Sequence, residues 1–540
     1  MAWLAARQAR RSYHRFLAAY KHPRQAQQDL LARLLGEHAE TDFGRDHGLG
    51  RLQGREAFRR AVPIRTYEQL RPYMRQVLQG QTNALFPPGQ EPMMFSLSSG
   101  TTSEPKHIPV TPAFLRDIRQ GWNAFGLAAL NDHPSAWLRP IAQISSSMHE
   151  ATSPAGVPCG AISGLLAATQ KRIVRRMYVV PTAVAEIADA EARYYTALRC
   201  AAAGDVAIIT TANPSSTLKM IDAGSRHADR LVHDLKHGTL SAPGQVRPEI
   251  SRRLKVGRAP AAAKRLAEGL ARDGQFRPGH LWNVSVLLNW TGGTLGLYLP
   301  KLKALFDDAP VRDVGLLASE GRFSIPLTDN TPAGVAEIIS NVLEFIPAEQ
   351  RGQENPDVLW AEELQQGQEY ILVVTNRAGL WRYNLDDRVR VTGFHDRTPV
   401  FEFLSRGGRT ASMTGEKLTE HQAVAAMDRA AAETGATVQR FTLQPVFCEP
   451  PYYRLRLEGL DRGTGPVAEA FDRHLGEVNI EYASKRSSGR LGPVVAEAVA
   501  SEVFDQAERD AIAARRGRSE QYKHQYLLTD VLEASPSPDE

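Results

Sequence analysis

Hydroxyl side chains crowd the segment F-S-L-S-S-G-T-T-S-E-P-K-H-I-P-V-T, from Phe95 to Thr111. Hydroxyls gathered around a glycine are what a phosphate group needs. Ser98, Ser99, Thr101, Thr102 and Ser103 each offer an O–H donor, and Gly100 lets backbone N–H groups approach an anion closely. Met93, Met94, Phe95 and Leu97 form an apolar run of strand length before the loop, and Ile108 to Val110 start another after it, so the loop is expected to join two strands. No Lys follows directly on a second Gly, so the Walker pattern of the P-loop NTPases is missing. A Ser/Thr-rich surface hairpin would have the same composition.

Other stretches also carry reactive groups. In S-V-L-L-N-W-T-G-G-T-L-G-L-Y-L-P a strand ending at Trp290 leads through Gly292 and Gly293 into a helix. Strand ends are where α/β proteins build sites, although a plain strand-to-helix turn reads the same way. G-L-L-A-S-E-G presents Ser319 and Glu320 in a glycine-flanked loop, and a carboxylate beside a triphosphate is a natural Mg²⁺ ligand. L-W-R-Y-N-L-D-D-R-V-R-V-T-G-F, from Leu380 to Phe394, places Asp387 in what could equally be a charged hairpin. His233 and His237 stand four residues apart, but no H-E-x-x-H pattern or third ligand accompanies them, and they read as structural or solvent-facing. Cys159, Cys200 and Cys448 are odd in number and far apart, which fits buried thiols better than a disulfide framework or a zinc site.

Taken together, these motifs resemble a family. S-S-G-T-T-S-x-P-K is similar to the phosphate-binding loop of adenylate-forming enzymes, most closely the GH3 acyl-acid amido synthetases, and the remaining motifs follow in that family's order. V-P-I-R-T-Y-E, from Val62, precedes the loop as a similar segment does there. T-G-G-x-x-x-x-Y resembles the segment beside the nucleotide, which implies a nucleotide role for Gly292. A-S-E resembles the family's A-S-S-E, which implies that Ser319 contacts nucleotide and that Glu320 is a metal ligand. N-V-L-E-F-I-P carries Val342 where the family has an aromatic residue next to the adenine. Y-N-L-D-D resembles the end of Y-R-Y-x-x-G-D, placing Asp387 on the aspartate that holds the ribose hydroxyls and Asp386 on the motif's glycine. Two lysines complete the set: Lys417 in M-T-G-E-K-L-T-E and Lys523 in S-E-Q-Y-K-H. The resemblance implies ATP and Mg²⁺ as cofactors, a small carboxylic acid activated as an acyl-adenylate, and an amino acid amine that accepts the acyl group. An acyl-CoA ligase with a thiol acceptor and a non-catalytic adenylate-binding module are the other readings.

These groups need elements to position them. A chain of 540 residues exceeds what one core usually serves, so at least two domains are expected. The pattern predicts an α/β protein: a large N-terminal domain of layered α/β sheets at 1–404, and a smaller mobile α+β cap at 405–540. Gly407 and Gly408 read as the hinge between them. Leu30, Leu31, Leu34 and Leu35 predict a helix stopped at Gly36, Pro112 begins a helix through Leu130, and Asp205 to Thr211 reads as a buried parallel strand. In the cap the pattern predicts strands over 437–447, 452–459 and near 494–504, with a helix burying Val467, Phe471, Leu475 and Val478.

Hydrophobic residues make up 42% of the chain and charged ones 23%, and no run has the ~18 apolar residues a membrane helix needs. A net charge of +5, with basic clusters that lack interleaved aromatics, argues against nucleic acid. Neither a secretory signal nor a twin-arginine export signal is recognisable at the start. A cytoplasmic monomer is expected. Heavy use of Ala and Arg with little Lys has the bias of GC-rich bacterial coding.

Overall fold

The computed structural model describes residues 10, 13–98, 106–406, 410–411, 413, 416, 418–448, 450–461, 463–487, 491–514 and 523–533. It forms two compact units, Met1–Phe403 and Leu404–Glu540. Among the described residues, three larger sheets and a two-stranded one build the first. One has the order β2-β1-β5-β4, from β1 (Met94–Ser98), β2 (Lys106–Val110), β4 (Ala151–Thr152) and β5 (Pro158–Gly160). The second, β3-β6-β7-β8, joins β3 (Ile141–Gln143), β6 (Ile208–Thr210), β7 (Val286–Asn289) and β8 (Val311–Asp313), all parallel. Val206–Ile209 and Val286–Leu288 are buried throughout, as strands covered by helices on both faces must be. Those helices include Ala190–Ala201, Pro214–Arg226 and Pro260–Asp273.

The third sheet has seven strands in the order β11-β12-β17-β16-β15-β13-β14: β11 (Ser324–Ile325), β12 (Gly334–Ala336), β13 (Val342–Pro347), β14 (Leu359–Trp360), β15 (Glu369–Asn376), β16 (Leu380–His395) and β17 (Thr398–Arg406). A two-stranded hairpin, β9 (Leu317–Ala318) with β10 (Gly321–Arg322), precedes it. The segment after Pro63 adds to β16: Arg65 N–H donates to Arg382 O at 2.9 Å and Asn384 N–H to Arg65 O at 2.8 Å.

Arg382 sits in β16 at φ 45°, a left-handed conformation that non-glycine residues hold only when their surroundings demand it. Here they do. Its guanidinium donates to both oxygens of buried Glu344, at 2.9 and 3.0 Å, and to the carbonyls of Arg59 and Val62 at 3.2 and 2.9 Å. Next to it Trp381 is fully buried and stacks on Phe43 with ring centroids 5.5 Å apart.

Helix Pro23–Glu37 buries Leu30, Leu31, Leu34 and Leu35 as one stripe. It does not stop at Gly36, which lies inside it. The cap falls at His38, whose N–H reaches back to Leu34 O at 3.1 Å and whose ring Nδ1 lies 3.0 Å from the same carbonyl, so the end is closed by a side chain rather than by a left-handed glycine. Gln27 fixes this helix to β13. Its amide donates to Ile338 O and Asn341 O, both at 2.7 Å, and accepts from Leu343 N–H at 2.8 Å.

Helix Pro112–Asp132 follows β2 and is capped by Thr111. His233 and His237 lie together on helix Ala228–His237, ring centroids 4.5 Å apart. Of the three thiols only Cys159 is fully buried, while Cys200 and Cys448 are partly exposed.

The second unit has a short hairpin of β18 (Thr410–Ala411) and β19 (Leu418–Thr419). Its sheet has the order β22-β21-β20-β23, from β20 (Arg440–Phe447), β21 (Tyr452–Glu458), β22 (Val495–Ala498) and β23 (Leu532–Glu533). Helix Thr464–Val478 buries Val467, Phe471 and Leu475. The strand predicted near 494–504 ends at Ala498, and a helix, Ser501–Ala514, takes its second half. Helix formers such as Glu502, Gln506, Ala507 and Glu508 outweigh the β-branched Val499 and Val503 there.

Candidate functional site

Strand β1 pairs antiparallel with β2 from Met94↔Val110 to Ser98↔Lys106, so the hydroxyl-rich loop leaves and re-enters the sheet at one point. Ser98 closes β1. Ser99, Gly100, Thr101, Thr102 and Ser103 lie outside the described residues, as do Gly407, Gly408 and Lys417. Lys106, at the far end of the loop, donates to the phenol oxygen of Tyr383 at 3.1 Å and lies 5.8 Å from the ring centroids of both Tyr67 and Tyr383. This links the loop to the strand that carries Asp387. Burial pushes the Tyr67 phenol upward and the Glu320 carboxylate adds to that, against its contact with His107.

Glu320 occupies the tip of the β9–β10 hairpin with Ser319. Ser96 Oγ of β1 donates to Ser319 Oγ at 3.0 Å, and Ser319 Oγ lies 3.4 Å from Leu97 O. The loop strand and the carboxylate turn are therefore held edge to edge. Glu320 is 1% exposed, and its Oε2 has no hydrogen-bond partner among the described residues. A buried carboxylate oxygen without a donor costs stability, and a cation at that oxygen would offset the cost. No three His, Cys, Asp or Glu side chains converge among the described residues, so a metal at Glu320 would draw its other oxygens from phosphate and water, as Mg²⁺ commonly does.

Gly292 lies just beyond the end of β7. A residue that the sequence reading passed over, Asp313 at the end of β8, holds this turn in place. Its carboxylate accepts from Thr291 N–H at 2.5 Å, Thr291 Oγ1 at 2.7 Å and Gly315 N–H at 2.6 Å. Burial raises the Asp313 pKa, and these donors oppose the rise. One carboxylate thus ties the T-G-G turn to the start of the G-L-L-A-S-E-G segment at the carboxyl ends of two adjacent parallel strands. An aspartate set between two valines and just before a glycine, in V-R-D-V-G, was the available signal.

Asp387 lies in β16, 1% exposed. Asp386, which stands where the motif has glycine, has φ 59°, so the turn keeps its left-handed residue. Aspartate tolerates that region better than most side chains, its N–H donates to Asn384 Oδ1 at 2.8 Å, and its carboxylate pairs with Arg351 through two bonds of 2.7 Å. Asp386→Gly should therefore change stability by less than ~1 kcal/mol, because relief of strain offsets a half-exposed ion pair. Asp386→Val should cost ~1–3 kcal/mol, since a β-branched residue resists positive φ. Denaturant unfolding of both variants checks the pair.

Val342 does not open onto this site. It is fully buried in the main core, paired with Thr375 across β13 and β15. Lys523 belongs to the second unit and is exposed.

A buried acid underlies the same region. Glu337 accepts from Asn341 Nδ2 at 2.6 Å and from Ile339 and Ser340 N–H at 3.2 Å, yet burial pushes its pKa up to about 8. In the folded state it holds a proton that the unfolded chain has already lost above its ordinary value of 4.5. Its stabilising effect is complete below that value and is lost as pH rises through about 8, at up to ~1.4 kcal/mol per pH unit. Unfolding free energy should fall between pH 5 and 8, and Glu337→Gln should flatten the slope in denaturant titrations at several pH values.

Hydrogen bonds thus tie a glycine turn to the segment of the carboxylate turn, and that turn to the hydroxyl-loop strand, within the layered α/β sheets of this chain. Its class is settled by comparison. The GH3 family N-terminal domain matches residues 12–311, the GH3 family central domain 338–406 and the GH3 family C-terminal domain 421–531. The chain belongs to the GH3 family. It is 27% identical over 538 residues to a probable indole-3-acetic acid-amido synthetase, GH3.2, of Oryza sativa subsp. japonica, covering 92% of this chain and 87% of that one. It is 25% identical over 495 residues to the jasmonoyl–L-amino acid synthetase JAR6 of Nicotiana attenuata, covering 86% and 84%. The solved structure of the GH3.15 acyl acid amido synthetase superposes with a TM-score of 0.81 at 20% identity, covering 95% of this chain and 93% of that one, which shows the shared fold.

Proposed function

We propose that this protein is an ATP-dependent acyl acid amido synthetase that joins a small carboxylic acid to an amino acid. Family membership supports the reaction class. The observation that carries the site is the Ser96–Ser319 contact, which sets the phosphate-loop strand against the turn of Glu320, whose Oε2 has no hydrogen-bond partner among the described residues. In the first step a carboxylate oxygen of the acid bonds to the α-phosphorus of ATP, the bond to the bridging oxygen breaks and pyrophosphate leaves. In the second, the amine nitrogen bonds to the acyl carbon, the bond to the AMP oxygen breaks, and the amine gives up a proton.

The loop hydroxyls at 98–103 bind phosphate oxygens, Ser319 and Gly292 also contact the nucleotide, and Asp387 accepts from the ribose diol. Glu320 holds Mg²⁺, whose charge offsets the charge of the phosphates. Lys106 keeps the end of the loop registered on Tyr383. The motif order assigns Lys417 and Lys523 to the charge that develops on phosphate or acyl oxygen. Val342 is kept as the adenine-side position through its backbone, since its side chain is packed in the core. A monomer in the cytoplasm completes the proposal.

The test is product analysis. The purified chain, ATP, Mg²⁺ and a panel of arylacetic and other small acids should release pyrophosphate, yield a hydroxamate with hydroxylamine, and yield an amide and AMP with one or more amino acids. A thioester with CoA and no amide with any amino acid would replace this reading by that of a CoA ligase. ATP binding without pyrophosphate release from any acid would leave a binding module.

A further inference from the structure

Two buried asparagines grip the Glu320 turn from behind. Asn376, the last residue of β15, donates through Nδ2 to Glu320 O at 2.8 Å and to Asn341 Oδ1 at 2.9 Å. Asn341, just before β13, donates through Nδ2 to Arg322 O at 2.8 Å and to Glu337 Oε2 at 2.6 Å. Asn376 Oδ1 accepts from Ala378 N–H at 3.0 Å. The two exposures are 3% for Asn341 and 1% for Asn376. Peptide carbonyls only accept, so both amides must present their NH₂ groups to the turn, which fixes their orientation.

The carbonyls on both sides of Gly321 are thus captured by one chain of amides. That chain begins at Glu337, passes through the residue before Val342, and ends at the residue leading into the β15–β16 turn and, beyond it, Asp387. We propose that Asn341 and Asn376 are positioning residues for nucleotide-dependent metal binding: they hold the backbone of the Glu320 turn so that the free carboxylate oxygen stays where Ser319 meets the loop strand. The inference rests on Glu320 as the metal ligand. Its physical ground is that a ligand held by its outer partners keeps its geometry, and losing such a partner typically weakens metal binding ~10–100-fold. Because the amides act in series, removing both should cost little more than removing one.

The experiment is a Mn²⁺ titration followed by electron paramagnetic resonance, on the full chain with a non-hydrolysable α,β-methylene ATP analogue, alongside calorimetry of the analogue without metal. Asn376→Ala and Asn341→Ala should each weaken Mn²⁺ binding by ~10-fold or more while metal-free analogue affinity moves less than about twofold. Asn376→Asp keeps the side-chain size, turns the donor facing Glu320 O into an acceptor, and serves if the alanine variants fail to fold. Unchanged Mn²⁺ affinity in these variants, beside a loss in Glu320→Gln, overturns the positioning role and leaves the ligand assignment standing. Equal weakening of Mn²⁺ and metal-free analogue binding also overturns it, as loose packing alone would do that. Unchanged Mn²⁺ affinity in Glu320→Gln itself removes the ligand assignment instead.

Discussion

Glu320→Gln should slow ATP-dependent pyrophosphate release by on the order of 10²-fold or more with ATP and acid saturating, while raising the unfolding free energy of the ligand-free protein by ~1 kcal/mol. Both halves follow from one atom. Oε2 is buried and has no donor among the described residues, so its charge burdens the empty protein and has value only when a cation sits beside it. Removing the charge relieves the burden and abolishes the value, the usual trade between stability and activity at a site. Rates from a coupled pyrophosphate assay and unfolding curves on the same preparation decide it. Activity within a few-fold of the parent would show that Glu320 is a structural carboxylate.

The second large effect belongs to Asp387. Asp387→Ala should lower kcat/KM for ATP by on the order of 10²-fold, the loss expected when two hydrogen bonds to a charged acceptor disappear. The diagnostic lies in nucleotide choice. The parent should prefer ATP over 2′-deoxy- and 3′-deoxy-ATP, and the variant should treat all three nearly alike, because the group that reads the diol is gone. An undiminished preference in the variant would move ribose recognition elsewhere. Asp386→Gly, which alters the neighbouring turn without touching the carboxylate of Asp387, should keep the preference and so separates the two roles.

Chemistry carried by contiguous residues was legible in the chain. The runs Met93–Leu97 and Ile108–Val110 announced β1 and β2 through their hydrophobicity, and Ser319-Glu320 stood between glycines as a turn should. Legibility failed for groups whose purpose is contact at long range. Asn341 and Asn376 are ordinary polar residues at strand ends until the sheet brings β13 beside β15, and no local spacing encodes that pairing. Asp313 likewise gains its role only when β7 and β8 lie parallel, placing Thr291 within 2.7 Å of it. Val342 shows the converse case. Its motif position pointed to the nucleotide, whereas a small β-branched side chain in a sheet packed on both faces goes to the core. Asp386 was the residue most at odds with the motif, yet its φ of 59° shows that the backbone, with Arg351 holding the carboxylate, supplies what glycine would have supplied.

Gln27 joins helix Pro23–Glu37 to Ile338, Asn341 and Leu343, and that separation has a consequence in time. On the ribosome, where chains grow at about 5–20 residues per second, at least ~15 s must pass between the emergence of Gln27 and that of its partners. Throughout that interval the helix with its stripe of Leu30, Leu31, Leu34 and Leu35 has only early partners such as helix Gly54–Ala61 and the turn Leu49–Arg51 to pack on, so the nascent chain presents a part-covered apolar helix to whatever holdase is at hand. Fusions that extend the amino terminus leave this wait unchanged. A circular permutant opened near 330, which would bring the strand out before the helix, should shorten it and reduce aggregation during synthesis.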